Sequence, residues 1–314
     1  MEPVKAKIEA QNNIIQSFEQ LANHEDERLY EIIISILEKR LNVSNGRIIF
    51  DDNSYVELGV IVKDIIEKYK AGDYTPEVSK LLRSFSDITQ TTLDVNALFN
   101  DESKLSDINF SNEKQYIINE LSDRLGSAKT FEYNIVSEIR QMISRSLVTQ
   151  GSLSDLKTLL KNTIIAKQGK PGIIGRYVNQ ITTDAVMQYT GIINTKIKEE
   201  LDLDAIRYIG SIIDTSRPQC IRWINKGGIL LQKRSEANMY LQDEIKWAKV
   251  NGSGYGKPGK SYYIDLNSDN FLTYRGGYGC RHEAIAFRYT KQKEDYLKKI
   301  QAQHQKLLDK QKAA

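Results

Sequence analysis

Apolar residues recur at helical spacing through the first half of the chain. Leu29, Ile32, Ile33, Ile36, Leu37 and Leu41 fall at i, i+3, i+4, i+7, i+8 and i+12, and Leu58, Ile61, Val62, Ile65, Ile66 and Tyr69 repeat the stripe. Both segments predict amphipathic helices. Between them Arg47-Ile48-Ile49-Phe50 followed by Asp51-Asp52-Asn53-Ser54 suggests a short strand and a bend. Thr75-Pro76 has the form of an N-cap with Pro at the first helical position, and Ser152 with Asp155 has the form of a cap after Gly151. At least five helices are expected before residue 170. Another is expected from Ile174 to Leu201, with Val178, Ile181, Ala185, Tyr189, Ile192 and Ile193 on one side. The texture then changes: Ile206, Tyr208, Ile209, Ile212 and Ile213, bounded by Asp204 and Asp214, predict a buried strand.

Glycine marks the second change of texture. Nine of the 19 glycines lie between 227 and 279, so helical backbone gives way there to turns and loops. Gln168-Gly169-Lys170-Pro171-Gly172 supplies an earlier break, because Pro cannot continue a helix and Gly disfavours one. The expected fold is mainly α with a small α+β C-terminal domain: a helical N-terminal domain over 1–172, a Gly-rich α+β domain over 173–287, and a basic C-terminal helix or tail over 288–314.

Length and charge narrow the function classes. With 314 residues the chain has room for about two domains, each with a core. The 44 Lys and Arg against 41 Asp and Glu leave a net +3, too small a field to draw the whole protein onto a polyanion, so any nucleic-acid contact must be local. No apolar run reaches the roughly 18 residues of a spanning helix, and Met1-Glu2-Pro3-Val4-Lys5 lacks the basic-then-apolar start of a secretory signal. The positive charge is concentrated at the end. Lys291, Lys293, Lys298, Lys299, Lys306, Lys310 and Lys312 with Arg288 give residues 288–314 a net +5, while Tyr289, Tyr296, Ile300 and Leu307 form a narrow stripe. A solvated helix, a partner-docking helix and a DNA-contacting tail are the readings of that stretch.

Candidate chemistry collects in two turn-rich segments. Asp214-Thr215-Ser216-Arg217-Pro218-Gln219-Cys220 follows the strand, and Cys280-Arg281-His282 stands near the far end; together they hold both cysteines and one of the three histidines. Cys220, Cys280 and His282 are three of the four ligands of a Zn²⁺ site, for which Asp214 or Glu283 would have to be the fourth. A Cys220–Cys280 disulfide is a second reading, and buried thiols packing as small apolar groups beside a hydrogen-bonded His a third. The last is the expectation, with no metal or cofactor assigned. Catalysis by Cys220 with His282 as base needs a reach that spacing cannot show. Asp214 and Arg217 at a strand end suit turn-fixing through an ion pair or backbone hydrogen bonds. Gly254-Tyr255-Gly256-Lys257-Pro258-Gly259 matches G-x-G-x-x-G, but it follows a predicted helix around Glu244 to Val250 and has Pro258 where a phosphate-binding helix would begin, so it reads as a loop.

The run from the helix near Arg176, through Tyr208-Ile209-Gly210-Ser211-Ile212-Ile213 and Asp214-Thr215-Ser216-Arg217-Pro218-Gln219-Cys220, to Gly279-Cys280-Arg281-His282 resembles the Mu F-like minor head protein (head morphogenesis) domain of tailed bacteriophages. The resemblance covers about a third of the chain and carries over Asp214, Arg217, Cys220, Cys280 and Arg281, with His282 where a second Cys is common. Tyr278 and Gly279 replace the usual Pro and His before the closing Cys. The resemblance implies a structural component of the virion, made in the host cytoplasm, in contact with the portal protein, other head proteins and packaged DNA, with no membrane at the assembly stage. It implies no catalytic step. The alternatives are a hydrolase or nuclease-like enzyme using Cys220 and His282, and a DNA-binding protein using the basic tail.

Overall fold

The computed structural model describes residues 2–51, 53–70, 85–126, 132–165, 167, 170–210, 212–233, 239–255, 264–277, 280 and 282–290. In chain order the elements are helix α1 (Glu2–Arg40), strands β1 (Val43–Ser44) and β2 (Arg47–Ile48), then helices α2 (Ser54–Lys70), α3 (Phe85–Ala97), α4 (Glu102–Ser106) and α5 (Ser111–Gly126). A π-helical turn over Glu132–Val136 leads into α6 (Ser137–Val148), followed by α7 (Leu153–Ile164) and α8 (Ile173–Glu200). The remainder runs β3 (Ala205–Ile209), α9 (Pro218–Asn225), β4 (Ile229–Leu231), β5 (Met239–Tyr240), α10 (Leu241–Asn251), α11 (Phe271–Tyr274) and β6 (Glu283–Phe287). The protein is therefore mainly α with a small sheet. Its described residues group into two compact units, each discontinuous along the chain: Ile8–Asp87 with Lys114–Ala185, and Met1–Lys7 and Ile88–Glu113 with Val186–Ala314. Thr75-Pro76 lies outside the described residues, as do Arg281 and residues 291–314, which include Lys291, Lys293, Lys298, Lys299, Lys306, Lys310 and Lys312.

The first unit is helical apart from one tiny hairpin. Leu29, Ile33, Ile36 and Leu37 on α1 and Leu58, Ile61 and Ile65 on α2 are buried, as their spacing predicts. β1 pairs with β2 across Asn45-Gly46, both with positive φ, as a tight hairpin turn of the primed type demands. Ser152 caps α7 by accepting hydrogen bonds from the Ser154 and Asp155 amides through Oγ. α1 extends much further towards the N-terminus than the apolar stripe alone predicts. The stripe is broken there because two successive buried positions, Glu25 and Asp26, are acidic.

Asp26 is fully buried and serves the start of α8. Its Oδ1 accepts the Ile174 amide at 2.7 Å and its Oδ2 the Gly175 amide at 3.4 Å. The first turn of a helix has amides with no partner inside the helix, and a carboxyl from another helix supplies them here. Burial dominates the titration and pushes the Asp26 carboxyl up to about 7, against the pull of those two amides.

The second unit contains a four-stranded sheet of order β5-β4-β3-β6. β3 is antiparallel to both β4 and β6, whereas β4 and β5 are parallel. The register sets two faces. Ala205, Ile229, Leu231 and Phe287 form one apolar cluster, against which Phe99 and Tyr289 pack. Period-two alternation sends Ile206 and Tyr208 to the other face. The strand predicted as far as Ile213 stops at Ile209, the last residue paired with β6, and Ile212 and Ile213 are exposed. Gly210 turns the chain away at φ +150°.

Because the folded state raises the Asp26 pKa, it holds a proton that the unfolded chain gives up near pH 4. That contribution is complete below about pH 4 and lost as pH rises through about 7, at a rate of no more than about 1.4 kcal/mol per pH unit. Urea unfolding of the wild type is expected to show stability falling between pH 5 and pH 7.5, and Asp26→Asn, which keeps a neutral acceptor, is expected to flatten that slope. An unchanged slope in the variant would assign the pH dependence elsewhere.

Candidate functional site

Three short pieces of the second unit converge on the Tyr208 side of β3. α9 begins after Arg217, with Pro218 in its first turn, and buries Gln219, Cys220 and Trp223. Pro is favoured there because its missing amide would have had no helical partner. The indole of Trp223 meets the Tyr208 ring edge-on, with centroids 5.0 Å apart, and the Phe271 ring at 5.1 Å. This aromatic stack fixes the distance between α9 and the sheet. The His282 imidazole also lies stacked on Tyr208, with centroids 5.4 Å apart and an interplanar angle of 16°.

The Tyr208 hydroxyl ends between the two sulfurs. It donates to Cys220 Sγ at 3.1 Å and stands 3.4 Å from Cys280 Sγ. The sulfurs are 4.0 Å apart and unbonded, and Cys280 Sγ is 3.7 Å from His282 Nδ1. All three side chains are buried, and His282 Nε2 has no hydrogen-bond partner among the described residues. A buried imidazole nitrogen without a partner carries a desolvation cost of about 1–3 kcal/mol.

Glycine backbone creates the volume for this cluster. A Cβ on Gly276 would lie 2.2 Å from Cys280 Sγ and 2.9 Å from Cys220 Sγ, and one on Gly210 would lie 2.4 Å from His282 Cδ2. The Gly276 carbonyl also ties the two segments together, since it accepts from the Arg217 guanidinium at 2.8 Å and from Gln219 Nε2 at 2.9 Å. The neighbouring residue, Arg275, is almost completely buried. Its guanidinium donates to the carbonyls of Leu272 at 2.8 Å, Met187 at 3.3 Å and Thr273 at 3.4 Å, and to that of His282. The Tyr255 hydroxyl closes the arrangement by donating to the Arg275 carbonyl.

The two sulfurs titrate as a pair. The hydrogen bond from Cys220 is the largest influence holding the Cys280 thiol well below its ordinary value, helped by His282, the Arg275 charge and Tyr208. The same bond, together with burial, pushes the Cys220 thiol up. The first proton therefore leaves the pair easily and the second with difficulty, which is the behaviour of one negative charge shared by two close acids. Burial, reinforced by the nearby thiols, raises the Tyr208 phenol, so it remains a donor.

The structure brings Cys220, Cys280 and His282 together, with their ligand atoms within 4.8 Å of one another. Arg217 stands beside them, and its bond to the Gly276 carbonyl joins two distant segments rather than fixing the turn at the end of β3. Asp214 does not join: it is exposed in the turn between Ile213 and Thr215. Glu283 pairs instead with the buried Lys7 at 3.0 Å, so neither carboxylate expected as a fourth metal ligand is in the cluster. His282 meets Cys280, whereas the expected catalytic pairing was with Cys220. Tyr208, Gln219, Gly276 and Arg275 were not singled out from the sequence as site residues. Only Tyr208 carried a signal, as the one aromatic of the strand run.

Comparison with family models, with curated proteins and with solved structures yields no match.

The Gly276→Ala variant is expected to lose about 1–3 kcal/mol of stability, because its methyl group overlaps both sulfurs and cannot be accommodated by a rotamer change. Chemical denaturation checks this, and a loss below about 0.5 kcal/mol would show that the pocket wall yields.

Proposed function

We propose that the chain is a structural minor head protein of a tailed bacteriophage, placed at the portal vertex and acting in head assembly or DNA delivery. One observation carries the reading. The turn after β3, with Arg217 and Cys220, and the closing segment with Cys280 and His282 meet in one compact unit, with the sulfurs 4.0 Å apart and Arg217 bonded to the Gly276 carbonyl. Arg217, Cys220 and Cys280 are three of the five residues that carry the Mu F-like resemblance, and their mutual packing is what a shared small module requires.

Burial supports a structural role over a catalytic one. Cys220, Cys280 and His282 are 2%, 8% and 8% exposed, so little of any of them meets solvent. The catalytic geometry of a thiolate and base needs an open position for the reacting carbon or phosphorus. Among the described residues no helix is long and apolar enough to cross a membrane. DNA contact, if made by the lysine-rich end of the chain, would be electrostatic and salt-sensitive.

Co-expression with the portal protein and scaffold of the same phage tests the proposal. The expected result is co-purification with portal rings at a fixed ratio and incorporation into proheads. Portal rings and proheads that form normally while this protein stays in the soluble fraction would overturn it.

A further inference from the structure

We infer that Cys220, Cys280 and His282 form a binding site for one thiophilic d¹⁰ cation, Zn²⁺ in the cell, with the Tyr208 hydroxyl at the fourth position. The inference goes beyond the head-assembly reading and does not depend on it.

The argument begins with distances. A tetrahedral Zn²⁺ centre with Zn–S of about 2.3 Å and Zn–N of about 2.0 Å sets its ligand atoms roughly 3.5–3.8 Å apart. The two sulfurs are 4.0 Å apart, Cys280 Sγ and His282 Nδ1 are 3.7 Å apart, and the Tyr208 oxygen is 3.1 and 3.4 Å from the sulfurs. These four edges lie within about 0.4 Å of the tetrahedral range, and the ligand atoms of Cys220, Cys280 and His282 all lie within 4.8 Å of one another. A disulfide, in contrast, would need the sulfurs to approach to about 2.05 Å.

The surroundings suit a cation with soft ligands. Two thiols and an imidazole select Zn²⁺ or Cu⁺ over the hard cations, which favour carboxylates and carbonyls. The Gly276 backbone packs directly against the cluster, where any Cβ would strike both sulfurs. Outer contacts hold the ligands in place: the Tyr208 ring stacks on His282, and the His282 carbonyl is bound by the buried Arg275. Binding releases the proton of each ligating thiol and forms two metal–sulfur bonds, one metal–nitrogen bond and one metal–oxygen bond to the Tyr208 hydroxyl, which keeps its proton, with no change of oxidation state.

The test uses the full-length protein purified under reducing conditions, without added chelator, from cells supplied with zinc. Elemental analysis is expected to find about one zinc per chain. After zinc removal, Co²⁺ alone as the probe is expected to give the thiolate-to-metal charge-transfer band and the intense visible bands of a tetrahedral site, saturating at one equivalent. Cys220→Ser and His282→Ala are each expected to weaken Co²⁺ binding by more than about 100-fold, beyond the loss typical of an outer-shell partner. Where a variant fails to fold, the wild-type result decides. Absence of stoichiometric zinc together with absence of tetrahedral Co²⁺ bands would overturn the inference, as would a Cys220–Cys280 disulfide as the resting state of protein isolated without reductant.

Discussion

Tyr208 occupies a position that only a specific set of neighbours permits. Its ring meets the Trp223 indole edge-on and stacks with the His282 imidazole, and its hydroxyl reaches both sulfurs. For this to happen β3 must present Tyr208 on the face opposite the Ala205, Ile229, Leu231 and Phe287 cluster, and β6 must be in register so that His282 immediately precedes the Glu283–Ile209 pair. A one-residue slip would send Tyr208 into the apolar cluster and His282 away from it. The register of β3 with β6 is thus the constraint on which the thiol cluster, and the functional reading built on it, depend.

Backbone without side chains is the second requirement. Gly276 and Gly210 leave the volume that the sulfurs and imidazole fill, and the Gly276 carbonyl is the common acceptor for Arg217 and Gln219. The buried Arg275 then binds four carbonyl groups, two of them on its own short helix, one on α8 and one at His282. A guanidinium with a rigid planar set of donors can organise a loop in this way, and a lysine could not replace it. Further out, Arg222 makes a two-bond ion pair with Glu244 and stacks over Trp247, joining α9 to α10. Burial pushes the Glu244 carboxyl up, but Arg222 and Lys226 together overcome it and hold the carboxyl below its ordinary value.

The helical stripes around Leu29 and Leu58 were legible because their apolar residues fall on one face, the central ones buried and Ile32, Leu41, Val62 and Ile66 half-buried at its edges. The long N-terminal extension of α1 was not, because its interior face includes polar and charged residues whose partners lie far away in the sequence. Asp26 reads as a surface residue until the amides of Ile174 and Gly175 are placed against it. In the second unit, spacing correctly singled out Cys220, Cys280 and His282 as a group, since reactive residue types are rare and these sit in two turn-rich segments. The sequence did not reveal that the strand ends at Ile209, because Ile212 and Ile213 are as β-prone as the residues before them and only the positive φ at Gly210 stops the run. Nor did it reveal Gly276 and Arg275, whose roles exist only in three dimensions. Asp214, prominent in the motif, is exposed.

The central claim is that Tyr208 and Cys280 interact directly as part of one packed cluster. A double-mutant cycle of Tyr208→Phe and Cys280→Ser, read by equilibrium unfolding of the full chain under reducing conditions, tests it most directly. The account predicts a coupling of about 0.5–3 kcal/mol, the range for residues in contact; additivity within about 0.3–0.5 kcal/mol, the behaviour of independent sites, would contradict it.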